Sequence, residues 1–177
     1  MSLDVQWPDD PFWDFSLVLY GQEGAAPICL RLQERHAADV NILLFAAWAG
    51  SLGQRLSGAE MDRAKQAVGR WHSEIVVALR GLRTQLKTDA MGSPPEIATA
   101  IRAEIKTAEL DAEHGEQIML SAQIKILPQN AGDEPGAAAD YNMRLYLESL
   151  GATLDKADTD GLRQIAEFAA RPTARRP

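Results

Sequence analysis

Met61, Ala64, Val68, Trp71, Ile75, Leu79, Leu82 and Leu86 recur at steps of three and four residues, which lays one continuous apolar seam along a helix. Its start is marked by Ser57 and Glu60, a capping box in which each side chain satisfies a backbone donor, with Leu56 and Met61 as the flanking hydrophobic staple. A second seam runs through Ile97, Ile101, Ile105, Ala108, Ala112, Gly115, Met119, Ala122 and Ile126. It opens at Ser93-Pro94-Pro95-Glu96 and is stopped by Pro128. The pattern predicts a long antiparallel helix pair, over about 58–88 and 94–127, folded back at Met91-Gly92. Opposed residues then have numbers summing to about 183. Bulky positions meet small ones: Trp71 falls opposite Ala112, Val68 opposite Gly115, Ala64 opposite Met119, while Leu82 meets Ile101 and Leu86 meets Ile97.

Shorter patterns flank this pair. Asp10-Pro11 starts a first helix to about Tyr20, with Phe12, Phe15 and Leu19 on one face and Trp13, Leu17 and Tyr20 on another, so it is expected to be covered on more than one side. A second helix from about Pro27 turns Ile28, Cys29 and Leu32 inward. Asp39 is placed to cap a third, Val40–Leu52, which is apolar nearly all round and is expected at the centre of the fold. Gln129–Gly136 has the composition of a loop. A helix from about Ala137 to Leu150 is expected to bury Tyr141, Leu145 and Leu147, and a last one from about Asp158 carries the stripe Leu162, Ile165, Ala166 and Ala169. The expectation is an all-α fold, a single-domain bundle of six or seven helices spanning 1–171, followed by a disordered basic tail at 172–177.

Charge narrows the function. A net charge of -7 opposes nucleic-acid binding, and Arg63, Lys65 and Arg70 are diluted by Glu60, Asp62 and Glu74. Cys29, the only cysteine, excludes an intramolecular disulfide and reads as a small buried hydrophobe. Val40–Leu52 is too short to span a membrane, and the acidic N-terminus does not read as a secretory signal, so no membrane insertion and a cytoplasmic location are expected.

Two polar groups are candidates for chemistry. Glu109, Asp111, Glu113, His114 and Glu116 include Asp111-x-x-His114, half of the motif used by di-metal bundles, but the second half is missing. The expectation is a solvated acidic face, with His72 beside Glu109 and Glu74 beside Asp111, and neither metal nor cofactor is expected. The other group is Ser16, Tyr20, Gln33, His36, Asp39 and Asn41, polar residues embedded among apolar ones. A buried polar group must find a partner, so these either form a structural network or line a small-molecule pocket with Trp13 and Trp48 as walls. No phosphate loop, nucleophile elbow or zinc-ligand pair occurs, and the sequence supports no particular reaction.

The stretches Phe12-Trp13-Asp14-Phe15-Ser16-Leu17-Val18-Leu19-Tyr20, Cys29-Leu30-Arg31-Leu32-Gln33 and Asp39-Val40-Asn41-Ile42-Leu43-Leu44-Phe45 resemble a family of short uncharacterised proteobacterial helical proteins. The resemblance implies a bacterial cytoplasmic helical protein and transfers no catalytic residue. Together these readings favour a non-enzymatic protein-interaction or accessory protein with a protein partner. The alternative is a small-molecule-binding or metal-dependent helical-bundle enzyme using one of the two polar groups.

Overall fold

A computed structural model describes residues 6–123 and 134–171. The expected basic tail, the segment 129–133 of the expected loop, and the stop at Pro128 lie outside the described residues. The elements are α1 (Pro11–Tyr20), α2 (Ala25–His36), α3 (Val40–Ser51), α4 (Gly58–Trp71), a π-helical turn (His72–Val76), α5 (Val77–Thr88), α6 (Pro95–Gln123), α7 (Pro135–Ser149) and α8 (Lys156–Ala169). The fold is all-α, with no strand among the described residues. The helix predicted over 58–88 is α4, the π turn and α5 in succession, and the one predicted over 94–127 is α6.

The starts follow the capping chemistry. Asp10 accepts from the Phe12 backbone N–H and Asp39 from that of Asn41, while the Ser57–Glu60 capping box is formed in both directions. Asp155 and Asp158 make a second such box at α8. Glu134 caps α7, so Pro135 and Gly136, expected in a loop, are its first turn.

α3 is the centre, with Asn41 through Ala47 all buried. Its most extensive partner is α7, which approaches so closely at Gly50 that a Cβ there would run into the backbone of Ala138 and Ala139. Asn142, fully buried on α7, accepts from the Leu56 N–H and donates to the carbonyls of Ala46 and Gln54, satisfying the backbone that leaves α3. α7 buries Tyr146 and Leu147. Tyr141, expected in the core, is 41% exposed beneath the Arg55 guanidinium. On α1, Leu17 and Tyr20 are also exposed, so the face of Phe12, Phe15 and Leu19 is covered by the bundle while of the second face only Trp13 is partly covered.

The antiparallel pair forms, and Trp71 meets Ala112 as its register demands: the indole N–H donates to the Ala112 carbonyl at 3.0 Å and the ring lies over Gly115. Beyond Trp71 the expected seam holds only in part, with Leu79, Leu86 and Ile105 half-buried. Ile75 is 37% exposed, Leu82 50%, Ile97 49% and Ile101 47%. The π turn is the cause, because it inserts one extra residue and rotates the following helix by about 100°. The inward track moves from Ile75, Leu79 and Leu82 to Val76, Arg80 and Arg83. Val76 is fully buried, and both arginines reach across to α6.

Gly50→Ala is expected to destabilise the protein by about 1–3 kcal/mol, because the α3–α7 contact must open. Gly69→Ala, on α4 with open space around its Cα, should stabilise by about 0.5–1 kcal/mol. Urea melts of the two variants check the pair of opposite signs.

Candidate functional site

The turn between α2 and α3 is short, with Ala37 in the left-handed region, and it delivers Asp39 to the buried N-terminus of α3. The Asp39 backbone N–H donates to the Tyr146 hydroxyl at 2.8 Å. One carboxylate oxygen, Oδ1, accepts from the Asn41 N–H. The other, Oδ2, is buried, has no hydrogen-bond partner, and stands 3.0 Å from His72 Nδ1. The ring nitrogen is directed at Glu116, 3.1 Å to Oε1 and 3.4 Å to Oε2, so Asp39 Oδ2 is close to it without receiving its N–H. Glu116, from the middle of α6, is fully buried.

Asn41 holds this arrangement. Its amide N–H donates to Glu116 Oε2 at 2.8 Å while its carbonyl accepts from Gln117 Nε2 at 2.8 Å. Gln117 Oε1 in turn accepts from the Ser16 hydroxyl at 2.9 Å. A chain of hydrogen bonds thus runs from His72 through Glu116, Asn41 and Gln117 to Ser16, crossing from the π turn to α1.

The charges within it are interdependent. Burial works against the His72 imidazolium, but its contacts with Asp39 and Glu116 prevail and push it up to about 10. Burial raises Glu116 to about 7, assisted by the adjacent Asp39, against the opposing effect of His72. Asp39 is also desolvated, yet the His72 ring 3.0 Å away holds it below the usual carboxylate range. Near neutral pH the group is an imidazolium held between the Asp39 carboxylate and Glu116, whose carboxyl titrates in that range. Asp39, His72 and Glu116 offer donor atoms within 4.8 Å of one another, a spacing able to hold a metal ion.

On the other side of the chain lies a cavity of about 300 Å³. Trp13, Leu17, Tyr20, Leu30, Val40, Leu44 and Leu110 form its apolar wall, and Ser16, Gln33, Asn41 and Gln117 its polar one. Arg80 stands at its edge, donating to Gln33, Glu109 and Glu113, and Arg83 pairs with Glu109. Burial raises Glu113 and also opposes the ionised form of Glu109, which the two arginines nonetheless hold below its usual range.

Of the residues expected at a pocket, Trp13, Ser16, Tyr20, Gln33 and Asn41 line this cavity, while Asp39 sits behind Asn41. Two are elsewhere. His36 Nε2 bonds Asp158 Oδ2 at 2.9 Å, where fully buried Asp158 also meets Arg31 and Arg35 and ties α8 to α2. Trp48 stacks on Phe12, 5.2 Å between centroids, beside Phe45, and belongs to the apolar core.

The acidic face of α6 is not solvated as expected: Glu109, His114 and Glu116 are all buried. His72 pairs with Glu116 rather than Glu109, and Glu74 with Arg70. His114 is sandwiched between the rings of Trp7 and Trp13 at 4.4 and 4.2 Å, and burial lowers its pKa against the pull of Asp10. Cys29 is buried as expected, its thiol pushed up to about 12 by desolvation. Sequence reasoning missed His72, Glu116 and Gln117 as partners of the N-terminal polar residues. The available signal was Asn41 itself, a polar residue in the most apolar helix, which requires polar partners from another element.

A family model, that of a protein of unknown function (DUF2390), matches residues 11–120. The chain belongs to the DUF2390 family. The matched span carries α1 to α5 and most of α6, and so includes every residue of the chain from Ser16 to His72 and all the residues lining the cavity. Tyr146 and Asp158, on α7 and α8, lie beyond it. No curated protein and no solved structure matches the chain. No helix among the described residues is long and apolar enough to cross a membrane.

Asp158 is desolvated, but the His36 hydrogen bond, the Asp155 backbone N–H and the Arg35 charge together lower its pKa. A lowered carboxyl contributes stability that is complete above its unfolded value and is lost as pH falls through the folded one. Asp158→Asn should therefore cost about 2–4 kcal/mol at neutral pH, as removal of a buried ionic partner does. That deficit relative to the unchanged protein should close as pH falls through the carboxylate range, which denaturant melts at stepped pH would read.

Proposed function

We propose that this protein binds a small neutral or zwitterionic molecule carrying an apolar ring or chain in the cavity between α1, α2, α3, α5 and α6. The observation that carries this reading is the composition of the cavity wall. One side is aromatic and aliphatic, and the other presents amide, hydroxyl and guanidinium groups that are held in place by partners behind them, the usual division of labour in a ligand site. Arg80 and Arg83 are matched by Glu109 and Glu113, which sets the ligand's net charge near zero. Ser16, Asn41 and Gln117 hold one another in fixed orientations, so a bound molecule would meet preorganised donors and acceptors.

The second reading is the protein-interaction or accessory role with a protein partner. What favours it is the half-exposed set Ile75, Leu82, Ile97 and Ile101 on the α5–α6 hairpin, apolar surface that the π turn leaves outside the core. Under this reading, pull-down from the native host recovers a partner reproducibly with the unchanged protein and loses it with Ile97→Glu/Ile101→Glu.

The cavity is tested by ligand-observed NMR with a panel of fragment-sized neutral and zwitterionic ring compounds. Binders are expected, and Leu17→Trp, an exposed position at the cavity wall, should weaken them at least about tenfold. It should do so with little change in the thermal midpoint. Binding that Leu17→Trp leaves untouched, or no binding at millimolar fragment, would refute the reading.

A further inference from the structure

We propose that Asp39, His72 and Glu116 form a binding site for a first-row divalent cation of the zinc, manganese or ferrous type. The site is separate from the cavity and reaches it only through Asn41.

Three observations converge. The first is the unpartnered oxygen: Asp39 is 6% exposed, its Oδ2 is buried without a hydrogen-bond partner, and it is directed into the gap beside His72 Nδ1. A desolvated carboxylate oxygen that accepts no hydrogen bond costs stability unless positive charge stands beside it, which either the His72 imidazolium or a bound cation supplies.

The second is spacing. Donors on neighbouring corners of a metal with bonds of about 2.0–2.2 Å stand about 3.0–3.4 Å apart. His72 Nδ1 lies 3.0 Å from Asp39 Oδ2 and 3.1 Å from Glu116 Oε1, and the three donors lie within 4.8 Å of one another.

The third is what lies behind the donors. Each carboxylate has one oxygen tied back by Asn41, Asp39 Oδ1 by its backbone N–H and Glu116 Oε2 by its side-chain N–H, so that the remaining oxygen of each faces the ring nitrogen. Ligating carboxylates are characteristically oriented in this way by hydrogen bonds from a surrounding layer.

Charge supports the same assignment. A cation binding here displaces the protons of His72 and Glu116, and the two carboxylates and neutral imidazole that remain carry two negative charges, which one divalent cation cancels. One nitrogen and two carboxylate oxygens suit zinc, manganese or iron better than calcium or magnesium, which take oxygen donors throughout. Three protein ligands leave further coordination positions for water or another small ligand.

The experiment uses tag-free full-length protein, stripped with a chelator and titrated with Zn2+, Mn2+ and Co2+ by calorimetry. One equivalent is expected to bind with micromolar Kd or tighter, and Co2+ should develop visible absorption. Asp39→Asn, which keeps the helix cap, and His72→Ala should each weaken binding at least about a hundredfold, and Asn41→Ala about ten- to hundredfold. Glu74→Gln, exposed on the same π turn, should change nothing. Should a variant fail to fold, the unchanged protein decides: of its three histidines, His72 is the one whose ring signals must broaden on addition of substoichiometric Mn2+. Binding weaker than millimolar, binding by the two ligand variants equal to that of the unchanged protein, or broadening at His36 or His114 instead would overturn the site and leave the His72 imidazolium as what holds the two carboxylates together.

Discussion

Asn41 places a side-chain amide at the start of the most apolar helix in the chain, and its backbone N–H, amide nitrogen and amide carbonyl are all engaged. Its backbone N–H goes to Asp39, its amide N–H to Glu116 and its amide carbonyl to Gln117. Because Glu116 is fully buried, losing any of these bonds leaves a polar or charged group stranded, at about 1–3 kcal/mol for each neutral group and more for a charged one. This constraint sets the rotation of α3 against α6. Apolar side chains alone would tolerate several rotations of a helix that is hydrophobic on nearly all sides, so the hydrogen bonds supply the specificity that packing does not.

Much of the remaining architecture brings α3 into position for that contact. Gly50 lets the α7 backbone approach, and Asn142 and Tyr146 on α7 then satisfy the two ends of α3: Asn142 the chain leaving it, Tyr146 the Asp39 N–H entering it. The α2–α8 side is secured separately by Asp158 with His36 and its neighbouring arginines. Polar residues on α6 and α7 thus lock one apolar helix in place.

The π turn at His72–Val76 links this core to the projecting hairpin. It keeps the Trp71 indole on the Ala112 carbonyl at one end and, by advancing the helix phase, turns Arg80 and Arg83 toward Glu109 and Glu113 at the other. An uninterrupted α-helix would direct leucines there and leave the buried Glu109 and the half-buried Glu113 without cations. The same turn carries His72, so the irregular backbone and the charged cluster coincide, as they often do at functional sites.

The sequence by itself determined the helical class, the caps at Asp10, Asp39 and Ser57, the antiparallel pairing of 58–88 with 94–127 and the central place of Val40–Leu52, because capping chemistry and apolar periodicity are local and survive without knowledge of the neighbours. It also singled out Ser16, Gln33, Asp39 and Asn41 as polar residues in apolar surroundings. Only the tertiary structure decided which of them meet and what they meet. Glu116 stands beside the Ala112–Gly115–Met119 seam, and a residue beside a seam is exposed in a helix pair but buried once a third helix covers it, which periodicity on α6 cannot report. The phase change at His72 is likewise silent in the sequence, since a π turn differs from an α turn by one residue of backbone and by nothing in side-chain pattern. Asp39, His72 and Glu116 therefore converge only when α3, the π turn and α6 are docked together.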